Sequence, residues 1–379
     1  MGSIRLSGWQ ETPSKRNSLD GSSTRSSCKI YRDQRYVALK ALRADSSDGS
    51  RDIFEGEILS KISEVSAKST HEGRHFVLPS LHQFKHKGPN GEHLCFIFDV
   101  LGHHLDFQCS NYKDWKLPVR AVKIIAYQLL QGLDFLHREC GVIHTDLKPS
   151  NILLELDTQQ ETISKYLSEV PPRTDPECEV EVPLREAITT PLISEMEEPR
   201  TRIIDFGFAS WREKHLVHLI QPTALRSPEV TIGAPWDTAV DIWSLGCLVS
   251  ICRSMMIIEF VQGIIPFRGQ ASKFGTWSVD DDRLARTIEI LGPFPAELLK
   301  KGKHTSSFFK ENGNLHRISN LKPTNIEGLI NGTKSPFLKP YDMPDSEVPI
   351  FVDFLQKMLT IDPALRSSAS NLLQHEWIK

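Results

Sequence analysis

The chain has 379 residues, 39% hydrophobic and 25% charged, and 45 Lys+Arg against 48 Asp+Glu give a formal charge of -3. This composition excludes collagen-like, mucin-like and mostly disordered chains, and the length predicts two or three folding units. A general nucleic-acid-binding protein usually carries a basic excess, so no direct nucleic-acid partner is expected. The seven cysteines, from Cys28 to Cys252, are scattered without a C-x-x-C pair. That supports neither a zinc site nor a disulfide framework and is simplest in a reducing intracellular compartment. The first ten residues lack the apolar run of a secretory signal. Leu245 to Phe267, interrupted by Arg253 and Glu259, reads as a buried core helix, so no membrane association is expected.

In chain order, residues 1–27 are rich in Ser, Gly and charge and are expected to be disordered. A strand is predicted at Tyr36–Lys40 and a helix at Asp52–Val65. Strands at His75–Leu81 and His93–Val100 flank a Gly-Pro-Asn-Gly hairpin turn at 88–91. Val122, Ile125, Ala126, Leu129, Leu130, Leu133 and Leu136 follow helical spacing between Pro118 and His137. Residues 155–199 hold 12 acidic and 3 basic residues and six prolines, the composition of an insert rather than a core. Further helices are predicted at Trp236–Phe260, Asp281–Leu291, Val348–Leu359 and Ala369–His375. The fold class is therefore α+β, a small sheet-rich lobe followed by a larger helical one.

Chemistry concentrates in Val142–Leu154, where Asp146, Lys148 and Asn151 lie between two apolar strand-like runs. Phosphoryl transfer needs a carboxylate to orient and deprotonate the attacking hydroxyl, a cation on the transferring phosphate, and an oxygen ligand for Mg²⁺. These three residues are of the right types. A second hard carboxylate, Asp205, follows the apolar Ile203-Ile204 and precedes a turn-forming glycine.

The strings VALK at 37–40, HTDLKPSN at 144–151, DFG at 205–207, SPE at 227–229 and DIWSLG at 241–246 occur together and in order. This set resembles the protein-kinase signature and implies a bilobal kinase-like fold, with an N-lobe at 28–101 and a C-lobe at 102–379 carrying the 155–199 insert. Thr145 in place of the usual Arg, the 88–102 stretch, the long insert and Asp280–Gly292 are similar to the SR-protein-specific kinases in a short, fungal-type form.

The resemblance implies a Ser/Thr kinase that uses ATP and Mg²⁺ to phosphorylate serines of Arg-Ser-rich, splicing-factor-like proteins. A monomer in cytoplasm and nucleus is expected. Asp146 and Lys148 would be catalytic, Asn151 and Asp205 the metal ligands, and Lys40 the phosphate-holding lysine. Its helix partner is Glu55 or Glu57. Glu55 shares a face with Ile58, Leu59 and Ile62, whereas Glu57 faces Lys61 and Glu64, so Glu55 is chosen. Phe98 would gate the adenine pocket, although core packing alone also accounts for it, while Asp99 and Leu101 would offer hinge backbone groups. Asp241 and the Glu229/Arg366 pair are expected to be scaffold, and His144 a packed residue rather than a base. Asp282 and Glu289, two helical turns apart, match acidic docking residues for arginines, the alternative being a solvated face.

Two departures bear on turnover. The glycine-rich loop, placed at Gly21–Arg25, keeps one glycine, and Pro222 stands where a Thr usually contacts the catalytic Asp. A pseudokinase scaffold that binds such partners with weak or no ATP turnover is the alternative.

Overall fold

The computed structural model describes residues 6–7, 23–30, 35–42, 52–88, 91–112, 117–156, 159–169, 173–174, 183–184, 196–247, 267–333 and 337–379. The chain divides into two compact units. The first comprises Met1–Ser69, Leu78–His103 and Leu154–Ser194, and the second Thr70–Val77, His104–Leu153 and Glu195–Lys379.

The described part of the first unit holds a five-stranded antiparallel sheet. Its strands are β1 (Leu6–Ser7), β2 (Ser23–Ile30), β3 (Arg35–Leu42), β4 (His82–Gly88) and β5 (Gly91–Asp99), in spatial order β1-β2-β3-β5-β4. In β3 the alternation is strict: Val37, Leu39 and Ala41 pack on Cys95 and Ile97 of β5 and on Phe84 of β4. The other face of β3 carries Ala38 and Lys40, and here helix α1 (Asp52–Lys68) supplies Glu55. β4 and β5 close in register to Gly88 opposite Gly91, as the hairpin signal requires.

Three expectations are corrected in or around this unit. Residues 23–27 pair along β3, from Ser23 opposite Leu42 to Ser27 opposite Ala38, so the disorder expected through residue 27 does not extend over them. Ser23–Arg25 therefore belong to a strand rather than to a glycine-rich loop, and Gly21 lies outside the described residues. The strand predicted at 75–81 is a 3₁₀ turn over Glu72–Phe76, and β4 starts only at His82. Glycine explains the turn, because a Cβ at Gly73 would come 1.9 Å from the Gln131 carbonyl oxygen of the second unit's main helix. The insert, finally, is not uniformly outside the core. Helix α4 (Gln159–Glu169) buries Ile163 against Val100 and Leu156, with Tyr36 and Ala38 alongside.

The second unit is mainly helical. It contains α2 (Leu105–Cys109) and α3 (Val119–Asp134), which buries Val122, Ile125, Ala126, Leu129, Leu130 and Leu133 on one stripe. A π-helical turn, Phe135–Cys140, continues α3 and ends on Gly141 at φ 67°, a left-handed cap that glycine adopts without strain. Midway along α3, Gln128 holds another part of the chain. Its Nε2 donates to the Pro199 carbonyl at 2.7 Å, and its Oε1 accepts from Thr201 N and Thr201 Oγ1, each at 2.8 Å.

Helices α5 (Pro228–Thr231), α6 (Ala239–Cys247), α7 (Val279–Leu291), α8 (Ala296–Lys301), α9 (Thr305–Phe308), α10 (Ile326–Ile330), α11 (Val348–Met358) and α12 (Ala369–Leu372) follow. The helix predicted over 236–260 is described only as α6, since 248–266 lie outside the described residues. α7 is well started: Ser278 and Asp281 form a reciprocal capping box. Its Leu284 and Ala285 pack with Ile232, Phe294 and Leu298. Phe351 and Phe354 of α11 pack on Trp377 at ring distances of 4.7 and 4.9 Å. Each such buried ring contributes about 1.5–3 kcal/mol relative to exposure. Among the described residues no helix is long and apolar enough to cross a membrane.

Candidate active site

Two short ladders in the second unit set the candidate catalytic residues side by side. Strand β6 (Val142–Ile143) pairs with β11 (Ser210–Trp211), and β7 (Ile152–Leu154) pairs with β10 (Thr201–Ile203), while β8 (Arg173–Thr174) and β9 (Pro183–Leu184) of the first unit pair with each other. The loop His144–Asn151 therefore runs beside the loop that begins at Asp205. His144 links them. Its Nδ1 accepts the Asp146 N–H at 3.2 Å, so Nε2 carries the proton and donates to the Ile204 carbonyl at 3.0 Å, a tautomer assigned from this network. Its ring meets Phe206 edge-on at 5.3 Å. Both of its nitrogens are engaged in the scaffold, as the packed reading of His144 requires.

Asp241 braces the loop from below. It accepts from His144 N at 2.8 Å, Thr145 N at 2.9 Å and His137 Nε2 at 2.9 Å. Complete burial pushes this carboxyl up, but the hydrogen bond and charge of His137, helped by His144, outweigh it and leave the pKa below the ordinary value. Thr145 and Asp205 both occupy the left-handed region, at φ 63° and 68°. Side chains seldom adopt that conformation, and local bonds hold it here: the Thr145 hydroxyl donates to the Phe208 carbonyl at 2.6 Å.

At the head of the loop, Asp146 Oδ2 accepts from Lys148 Nζ at 2.8 Å and from Asn151 Nδ2 at 3.0 Å. Asn151 Nδ2 also donates to the Asp146 carbonyl, and Asn151 O accepts from Ile204 N at 2.9 Å. Because the Asn151 amide nitrogen faces Asp146, its Oδ1 is presented on the other side as a hard ligand. Among the described residues no group of three or more His, Cys, Asp or Glu could hold a metal. An amide oxygen and one carboxylate, Asp205, nevertheless suit Mg²⁺, which keeps waters and phosphate oxygens for its other positions.

In the first unit, Lys40 Nζ donates to Glu55 Oε1, and both side chains are buried. Glu57 is exposed, as the facing argument requires. Phe98 is half-buried opposite Ala38, Asp99 pairs with Val37, and Leu101 follows the end of β5. Gly102 N then bonds the Leu154 carbonyl.

Elsewhere in the second unit, Glu229 and Arg366 form a fully buried bidentate pair at 2.7 and 2.9 Å. Arg366 also donates to the carbonyls of Ala239, Thr360 and Ile361 and lies over the Trp243 ring. Sequence reasoning missed Gln221, which no motif marks. At φ 65° and buried, it bonds Val240 O and Ser244 Oγ through Nε2 and receives Ser227 N and Oγ at Oε1. On α7, Asp282 Oδ2 accepts from Gln270 N and from Arg286 Nε, each at 2.8 Å. Glu289 Oε1 accepts from Lys322 N at 2.7 Å. Both acids thus have internal partners on a half-exposed helix face.

Comparison with known proteins identifies the family. The family model for the protein kinase domain matches residues 21–167 and 191–378, leaving out the middle of the insert. The chain is similar to serine/threonine-protein kinase SRPK of Physarum polycephalum, 32% identical across 91% of this chain and 80% of that protein. It is also similar to protein kinase dsk1 of Schizosaccharomyces pombe, at 28% over 91% and 76%. Serine/threonine-protein kinase SKY1 of Saccharomyces cerevisiae follows at 23% over 91% and 71%.

Proposed function

The chain belongs to the protein kinases, and among them to the SR-protein kinases, and from that premise we propose that this Ser/Thr kinase phosphorylates serines in Arg-Ser-rich proteins. The observation that carries the reading is the loop around Asp146, where Lys148 and Asn151 both bind Oδ2. That arrangement fixes the carboxylate through Oδ2, and Asp146 would orient and deprotonate a substrate hydroxyl through Oδ1. Lys148 would offer positive charge to the transferring phosphate. In the first unit, Lys40, held by Glu55, would bind phosphate oxygens of ATP. Asn151 and Asp205 would hold Mg²⁺, which, when bound, neutralises charge on the phosphates.

Selection of Arg-Ser repeats rests on Asp282 and Glu289 as carboxylates for successive arginines. Arg286 already lies on Asp282, so a substrate arginine would have to replace an internal one. The test is a Mg²⁺-dependent assay with purified full-length chain on an Arg-Ser repeat peptide and on the same peptide with Arg replaced by Gln. Transfer to the first, with a much lower KM than for the second, is expected. Mg²⁺-dependent ATP binding without transfer to either peptide would favour the scaffold reading.

A further inference from the structure

Helix α7 contains a charged side chain that no reaction step uses. Arg283 is 2% exposed, yet its guanidinium reaches away from its own helix. Nη1 donates to the Thr223 carbonyl at 2.6 Å and Nη2 to Thr231 Oγ1 at 3.2 Å, while Asp280, one turn back, also accepts from Nη2. The two distant acceptors bracket one stretch. Thr223 opens the 3₁₀ turn Thr223–Leu225, and Thr231 closes α5. Between them Ser227 is fixed by Gln221.

Burial disfavours the charged form of Arg283, and Asp280 opposes that effect. A buried guanidinium is costly compared with an apolar side chain of similar size. What it provides is direction: the planar fork spans two acceptors at once, which neither Lys nor Met can do.

We propose that Arg283 is a positioning residue for the protein substrate, holding 223–231 in the shape that receives the acceptor peptide. The proposal rests on the kinase reading above, by which Pro222, the residue before this stretch, stands where a Thr usually contacts the catalytic Asp, and Glu229 within the stretch is anchored by Arg366. It also makes α7 a shared support, since Arg283 sits next to Asp282, the residue assigned to arginine docking.

The test compares full-length wild type with Arg283→Met and Arg283→Lys. In Arg283→Met the KM for an Arg-Ser peptide should rise about tenfold, equivalent to about 1.4 kcal/mol. The KM for ATP, and ATP turnover to water without peptide, should stay within about twofold, because the reacting groups are untouched. Hydrogen exchange at Leu225 and Thr231, whose amides bond Pro222 O and Ser227 O, should accelerate about tenfold. Arg283→Lys should fall between the two on both measures, and it carries the test if the Met variant does not fold. Unchanged peptide KM and exchange would overturn the proposal, as would an equal loss of water-directed turnover, which marks a merely structural role. If wild type phosphorylates no peptide, the kinase reading fails by itself. The exchange measurement then decides alone: unaltered rates overturn the anchoring, and faster rates support it.

Discussion

Two regions of the second unit treat buried charge in opposite ways. At Asp241 and the Glu229–Arg366 pair, the charged groups themselves are matched within the protein: both Asp241 oxygens have donors, and Arg366 donates from Nε, Nη1 and Nη2. At Asp146 the described donors, Lys148 and Asn151, converge on one oxygen. The difference separates scaffold from chemistry more sharply than residue type does, since both regions use aspartate. A saturated carboxylate fixes a backbone, and one with an unmatched oxygen can accept a proton. Asp282 lies between the two, because one of its donors, Arg286, is a half-exposed side chain of the same helix.

The largest effect should come from Asp146→Asn. Removing the base should lower transfer roughly 100- to 10,000-fold while leaving ATP affinity, measured calorimetrically, nearly intact. A variant that transfers at the parental rate would place the base elsewhere. On the scaffold side, Arg366→Ala strands a buried carboxylate and should cost about 3–5 kcal/mol in urea unfolding. A loss below about 1 kcal/mol would mean that the pair is not the saturated anchor it resembles.

The insert offers a graded test of the same contrast. Ile163→Ala should cost near the lower end of the roughly 2–5 kcal/mol typical of buried aliphatic truncations. Excising 170–190 should leave the melting temperature in place. Equal losses from both changes would refute the division of the insert at α4.

Asp241 also predicts a pH response. Its folded pKa is lowered, so its contribution to stability is complete above the ordinary carboxylate value of about 4 and is lost as pH falls through the lower folded value. Melting temperature followed from pH 6 downward should show an acid decline that Asp241→Asn lacks. The smallest effect belongs to Arg286→Ala. An i,i+4 pair of this kind is worth about 0.3–0.5 kcal/mol, so removing the internal competitor should lower the KM for an Arg-Ser peptide about twofold. A higher KM would show that Arg286 aids docking instead.

Much of this was legible in the sequence because the motifs are local. His144–Asn151 and Asp205–Gly207 carry their chemistry in consecutive residues, and helical periodicity alone separated Glu55 from Glu57. What escaped depends on long-range contacts. The turn at 72–76 is dictated by Gly73 meeting Gln131 on a distant helix, which no local β pattern reveals. Helix α4 hides in an acidic, proline-rich composition because one isoleucine, Ile163, carries much of its burial. Gln221 and Arg283 act through backbone carbonyls and hydroxyls far away in sequence, and neither residue type advertises such a role.

The clamp made by Gln128 has a bearing on how this chain can change. One amide fixes the carbonyl of Pro199 and both donors of Thr201, where the chain leaves the insert and enters β10 toward Asp205. It works as a strain relief on a cable: slack, tension or added length upstream ends at Pro199. Segments of other sizes spliced between α4 and the clamp should therefore leave the presentation of Asp205 unchanged.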